Sequence, residues 1–160
     1  ENIVKSGVPD VVAAWAHEVG TSRLLLVVAI KQRYGGHAKQ AGHVAAMCHA
    51  GAYAGRYVIV VDEDIDPSNL EEVMWAVLTR SDPATSIDFI TNAWSTPLDP
   101  RIPPWKKEQG ITSHSKMIIN ACRPFAWMDR FPRTTALTQE EAREIADKWL
   151  GIITGQNTAP

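Results

Sequence analysis

The chain has 160 residues, a formal net charge of -2 and 21% charged residues. That length suits one compact domain with its own core, and that charge gives no electrostatic case for nucleic acid or an anionic membrane as partner. The apolar run LLLVVAI (24–30) is strand-sized, far short of a membrane span.

Two cysteines, Cys48 and Cys122, are too few for a disulfide framework, so free thiols in a reducing cytoplasm are expected. No basic-then-apolar leader follows Glu1, so no signal peptide is expected, and a first residue other than Met suggests a fragment of a longer chain or a processed product.

In chain order, VVAAWAH (11–17) and RLLLVVAIK (23–31) flank a Gly20-containing turn and predict a β-hairpin. The alanines of AAWAHEV leave a helical turn open at the first of them. KQRYGG is a basic loop, HAKQAGHVAAMCHAGAY (37–53) an Ala-rich helix, and RYVIVV (56–61) a β-branched strand. Four carboxylates follow: Asp62, Glu63, Asp64 and Asp66. Asp66 before Pro67 reads as N-cap and first helical position. Glu71 and Glu72 suit the positive end of a helix dipole and Arg80 the negative end. Leu70, Val73, Met74 and Val77 form an apolar stripe, so a helix is expected over about 67–80. On this reading the acids mark a strand end and a helix start; a hard-metal site would need oxygens converging from elsewhere.

SIDFITNAW (86–94) predicts a further strand, and STPLDPRIPPWKKEQGITSHS (95–115) a long proline-rich loop without regular structure. KMIINA (116–121) predicts another strand and RPFAWMDRFPR an irregular stretch. Thr138 with Glu141 forms a capping box for a helix 138–150 whose stripe is Ala142, Ile145 and Trp149; Gly151 ends it, and 151–160 is a flexible tail. Alternating strands and helices predict a single α/β domain over 1–160, with a mainly parallel sheet flanked by helices and a hairpin at one edge.

Several residues carry potential chemistry. His37, His43 and His49 recur every six residues, which scatters them around a helix, and no pair has zinc-ligand spacing. KQRYGGHAKQ (31–40) leads into a helix N-terminus with Lys31, Arg33 and Lys39. It is either a phosphate cradle or a solvated basic turn. Pro97 and Leu98 either cover a pocket as a lid or pack on their own sheet. Trp94, Trp105 and Trp127 fall in irregular regions and favour an interface over capping of the core.

KQRYGGHAKQAG, VIVVDEDIDPSNLEEVMWAVLTRSDPATSID, WSTPLDP and SKMIINACRP together resemble the C-terminal domain of the UbiD family of decarboxylases, over most of residues 7–150. The resemblance implies a carboxy-lyase that removes CO2 reversibly from an aromatic or α,β-unsaturated carboxylic acid. Its cofactor would be prenylated FMN with a divalent metal, usually Mn, and potassium. It also implies that the acid/base Arg and Glu and the metal ligands lie in an N-terminal flavin domain outside these residues. No catalytic or metal role therefore falls on Asp62, Glu63, Asp64 or Asp66, and no cofactor is expected on this chain alone.

Four positions match family residues that face substrate or cofactor: Pro97 and Leu98 in the Pro–Leu loop, and His49 and Tyr53 in HAGAY, where some relatives carry a Lys. The expected partners are the chain's own flavin domain, a second copy in a homodimer or larger homo-oligomer reached by the last helix, and a small aromatic carboxylic acid, with neither nucleic acid nor membrane. The competing reading is a free-standing, non-catalytic module that dimerises or regulates a separate flavin subunit.

Overall fold

The computed structural model describes residues 1–132 and 139–153, apart from the side chains of residues 54, 139, 140, 142 and 151–153. Residues 1–129 form one compact unit and residues 130–160 belong to another. The first contains a five-stranded sheet: β1 (Val11–Ala16), β2 (Leu25–Ile30), β3 (Tyr57–Asp62), β4 (Ile87–Trp94) and β5 (Ser113–Ala121), in the order β1-β2-β3-β5-β4. β2, β3 and β5 run parallel in the centre. The expected hairpin is present: β1 pairs antiparallel with β2, with Ala14 opposite Val28. The other edge is antiparallel too, because β4 returns beside β5. This is the α/β fold read from the sequence, a mixed sheet with a parallel centre flanked by helices.

The central strands are apolar on both faces, as a doubly covered sheet requires. Val28, Ile30, Val58, Val60 and Ile118 point to one side, under helix α2 (His37–Met47) and the short α1 (Asn2–Lys5). Val27, Ala29, Ile59, Val61 and Ala121 point to the other, where Val73 and Ala76 of α4 (Leu70–Arg80) cover them. Ala38, Ala41, Gly42, Ala45 and Ala46 make the buried stripe of α2, and at Gly42 no room is left for a Cβ against Ile118.

Five local expectations change. The single helix 37–53 breaks at Cys48, which is extended (φ -66°, ψ 161°), so that α3 (His49–Ala54) is separate. Helix 67–80 starts at Leu70. The Asp66 carboxylate is held in a local turn, accepting from Ser68 N–H at 2.9 Å, and Asn69 is the cap instead, accepting from the N–H groups of Glu71 and Glu72. Met74 is exposed while Ala76 and Arg80 are buried, so the buried stripe is rotated from the expected one. The proline-rich loop contains a helix, α5 (Pro104–Glu108), with Pro104 opening it, and β5 starts at Ser113. In the second unit, α6 (Gln139–Ile153) runs through Gly151, which therefore does not end it; Thr138 lies outside the described residues.

Candidate functional site

β2, β3 and β5 begin at the same end of the sheet, and the residues singled out in the sequence gather there. α3 carries His49 and Tyr53 along a cleft of about 350 Å³, with Arg23, Leu26 and Ala16 opposite. Leu98 lines a neighbouring cleft of about 390 Å³ with Thr21, Arg23, Leu24 and Pro100. Arg23 belongs to both, its guanidinium 5.6 Å above the Tyr53 ring. The Tyr53 ring lies 5.9 Å from that of Trp94, the last residue of β4 before the Pro–Leu turn. His49, Tyr53 and Leu98 thus share one neighbourhood, and Pro97 sits exposed beside Leu98. Leu98 is 70% exposed, an apolar side chain without a cover among the described residues.

One buried cation, Lys116, and one buried anion, Asp99, fix these segments, and periodicity alone missed both. Lys116 on β5 is 1% exposed, and its ammonium donates to four backbone carbonyls, those of Ala46 (3.0 Å), Gly51 (2.9 Å), Ala52 (3.3 Å) and Gly55 (2.9 Å). All four belong to the end of α2 and to the α3 segment, so Lys116 pins the helix that carries His49 and Tyr53. Gly51 is required here: a Cβ would lie 1.8 Å from the Ala45 carbonyl oxygen. Burial pulls the Lys116 amine down to about 8, while the carbonyls favour its charged form.

Asp99 holds the Pro–Leu turn. Its side chain is fully buried and accepts from Arg56, from Arg101 N–H at 2.8 Å, from Ser95 Oγ at 3.3 Å and from His114 Nδ1 at 2.6 Å. Burial raises the carboxyl, but the Arg56, Arg101 and His114 hydrogen bonds outweigh it and hold it at about 2. For His114 burial dominates: it pushes the imidazole below its usual range, against the pull of Asp99. With Asp99 ionised, Nδ1 carries the shared proton; Nε2 is buried without a partner.

The opposite end of the strands, where ligands sit in many open α/β sheets, is filled by an ion cluster. Asp62 is fully buried and accepts from Gln32 Nε2 (2.7 Å), Arg80 Nη1 (3.1 Å), Arg123 N–H (2.7 Å) and Arg123 Nε (3.0 Å). Asp64 takes both Arg80 Nη groups at 2.9 and 2.8 Å; these bonds outweigh burial and lower its carboxyl. The strand-end acids are therefore structural anchors as well as chain punctuation. In the basic loop, Arg33 is spent on Asp10 at 2.7 and 2.8 Å, Lys39 on Asp88 at 3.0 Å, and His37 on the Pro9 carbonyl at 3.1 Å, which favours the solvated-turn reading. Among the described residues, no group of three His, Cys, Asp or Glu is placed to hold a metal ion, and no helix is long and apolar enough to cross a membrane.

Comparison with known proteins gives the family. Residues 1–121 match the family model described as 3-octaprenyl-4-hydroxybenzoate carboxy-lyase C-terminal domain. The chain is 35% identical to the phenolic acid decarboxylase of Sedimentibacter hydroxybenzoicus over 159 residues, 96% of this chain and 31% of that protein. It is 39% identical to the phenolic acid decarboxylase of Bacillus subtilis (strain 168) over 123 residues, 77% of this chain and 24% of that one. Among solved structures, the closed form of the Sedimentibacter hydroxybenzoicus vanillic acid decarboxylase superposes with a TM-score of 0.73 at 34% identity, covering 93% of this chain and 30% of that one. The UbiD-class enzyme HmfF from Pelotomaculum thermopropionicum, in complex with FMN, superposes with a TM-score of 0.72 at 27% identity, covering 86% and 29%. The chain spans about a third or less of the length of these relatives. It belongs to the UbiD family, whose C-terminal domain it matches.

Proposed function

We propose that this chain is the closing and subunit-contact domain of a longer, cytoplasmic UbiD-family decarboxylase that acts on an aromatic or α,β-unsaturated carboxylic acid. The observation that carries the reading is the meeting of α3 and the Pro–Leu turn around Arg23 at one end of the sheet. Leu98 and Pro97, held out by the buried Asp99 anchor, form an apolar tip that covers substrate and excludes water. Tyr53 and His49, held by Lys116, form the adjoining wall towards the cofactor. Solved relatives in FMN and prFMN complexes, and one in open and closed forms, support both the flavin and the closure.

The residues present do not fit the metal: no suitable donor group lies among the described residues. The basic loop does not fit a flavin phosphate either, since its Arg33 and Lys39 are already paired with carboxylates. Those functions belong to a flavin-binding domain. The six tryptophans support an assembly as well. Each of Trp15, Trp75, Trp94, Trp105, Trp127 and Trp149 is at least 41% exposed, and exposed tryptophan is favoured where another surface packs. The partners are the flavin domain and a second copy of the protein, the latter met by α6.

The test is to purify this chain, and the protein containing both domains, after co-expression with the flavin prenyltransferase. This chain alone should be colourless and inactive. The two-domain protein should carry a flavin band and decarboxylate aromatic acids, and Leu98→Ala should lower its turnover without changing the spectrum. A flavin band on this chain alone, or Leu98→Ala with unchanged turnover, refutes the assignment.

A further inference from the structure

Arg56 and His114, which hold Asp99 on one side, also line another cavity, of about 490 Å³, within the usual size of a small-molecule site. Arg101 and Lys106 come to it from the start of α5 and the turn before it, and Ser113 and Ser115 from β5. The lining is strongly one-signed. Three permanent cations converge, and no carboxylate among the described residues lines the cavity. The Arg56 charge is balanced behind the wall by Asp99. Arg101 uses only its backbone N–H on that carboxylate, and Lys106 rests on the Trp105 ring, 5.4 Å from its centre; among the described residues neither charge has an anionic partner. Like charges gathered in a concave site raise the local potential and favour an anion.

Two further observations mark the cavity as a site. The His114 side chain is only 4% exposed, and its Nε2, the acceptor nitrogen once Nδ1 carries the proton, has no hydrogen-bond partner among the described residues; a buried polar atom of this kind is rare and calls for a bound water or a ligand hydroxyl as donor. Asn92 also lines the cavity, from a bulge where β4 slips against β5 between Ile90 and Ala93. Its φ of 55° is a left-handed conformation at a non-glycine residue.

We propose that this cavity binds a small free oxyanion, a carboxylate or phosphate, held by Arg101, Lys106 and Arg56, with a water at its inner end that donates both to the anion and to His114 Nε2. This goes beyond the decarboxylase reading and does not depend on it, because the cavity is neither of the clefts beside Leu98 and Tyr53. Guanidinium and ammonium groups suit oxyanions through charge-assisted hydrogen bonds. The hydroxyls of Ser113 and Ser115 add neutral donors to the wall.

The experiment is a titration of the protein with inorganic phosphate and, separately, with benzoate, at ionic strength held constant with sodium chloride. The His114 Cε1–H resonance, assigned with His114→Asn, is the reporter. A saturable shift with either anion is expected, phosphate or benzoate alone narrowing the class to phosphates or carboxylates. Arg101→Ala/Lys106→Ala should weaken it by roughly tenfold or more, the loss of charge-assisted contacts. Neither residue is buried, so that variant should fold, and Lys107→Ala, outside the cavity, should bind as the parent does. No saturable shift with either anion would overturn the proposal. So would equal displacement by chloride, or equal weakening in Lys107→Ala, either of which would reduce the effect to general screening.

Discussion

His114 donates through Nδ1 to the Asp99 carboxylate over 2.6 Å, and this bond ties β5 to the turn that carries Leu98. The bond makes that turn acid-sensitive. In the folded protein the Asp99 carboxyl is held at about 2, against 3.8 for the free group. A depressed carboxyl contributes stability that is complete above its unfolded value and is lost as pH falls from about 4 towards 2. The shift corresponds to roughly 2 kcal/mol. His114 acts in the same direction at higher pH. Its folded value is lowered, so its contribution is present above 6.5 and declines as pH falls through that point. Urea unfolding across this range should show stability falling towards acid, with the step below pH 4 absent in Asp99→Asn. An unchanged low-pH step in that variant would count against the anchor.

Strand and helix positions were legible because each face of the sheet repeats every second residue and each amphipathic helix every three to four. Val28, Ile30, Val58 and Val60 write one face of the core directly into the sequence. What the pattern hid was carried by single polar residues with distant partners. Lys116 looked like the charged start of a short strand, yet its ammonium reaches carbonyls more than sixty residues away. Arg80 suited a helix C-terminus by charge, and its burial against Asp62 needed the fold. A lysine inside an apolar strand and an arginine on the buried stripe of a helix were the available signals. The family resemblance, by contrast, singled out Leu98, Tyr53 and His49, which no periodicity marks, and in the structure they line neighbouring clefts that share Arg23.

Arg80 is the partner whose loss should be felt most at the opposite end of the sheet. Its side chain is 1% exposed and serves both Asp62 and Asp64. Removing one member of a buried pair leaves the other charge uncompensated and typically costs about 3–5 kcal/mol. Arg80→Met keeps the aliphatic stem and should lose about that much by chemical denaturation. Arg80→Lys should recover only part of it, since an ammonium cannot make the two-pronged contact with Asp64. An Arg80→Met variant as stable as the parent would show that Gln32 and Arg123 suffice for Asp62.

Gly42 sets how closely α2 approaches the sheet. An added Cβ would lie 2.4 Å from Ile118 Cγ2 and 3.2 Å from Val60 Cγ2. Alanine favours a helix interior over glycine by up to about 1 kcal/mol, but overpacking a filled core costs about 1–3 kcal/mol. Gly42→Ala should therefore destabilise on balance. Ile118→Ala opens the space the new methyl needs, so the double variant should lose less than the sum of the two single losses. Additive losses would place the strain elsewhere.

Lys116 supports the sharpest test of how α3 is held. Its ammonium satisfies four carbonyls at 2.9–3.3 Å in a buried site, in the manner of a bound monovalent cation. Lys116→Met keeps most of the volume and removes the charge, so it leaves those oxygens without their donor. At about 1–3 kcal/mol for each unsatisfied buried group, and with Gly51 O still accepting from Gly55 N–H, a net loss of roughly 3 kcal/mol is expected. Lys116→Ala instead opens a cavity lined by the same carbonyls. Ammonium or methylammonium chloride should then raise the melting temperature of Lys116→Ala relative to sodium chloride at equal ionic strength, while the parent protein responds equally to both. Rescue by ammonium and not by sodium would identify the site as a cation cage. Equal responses in the variant would mean that Lys116 acts through its packing alone.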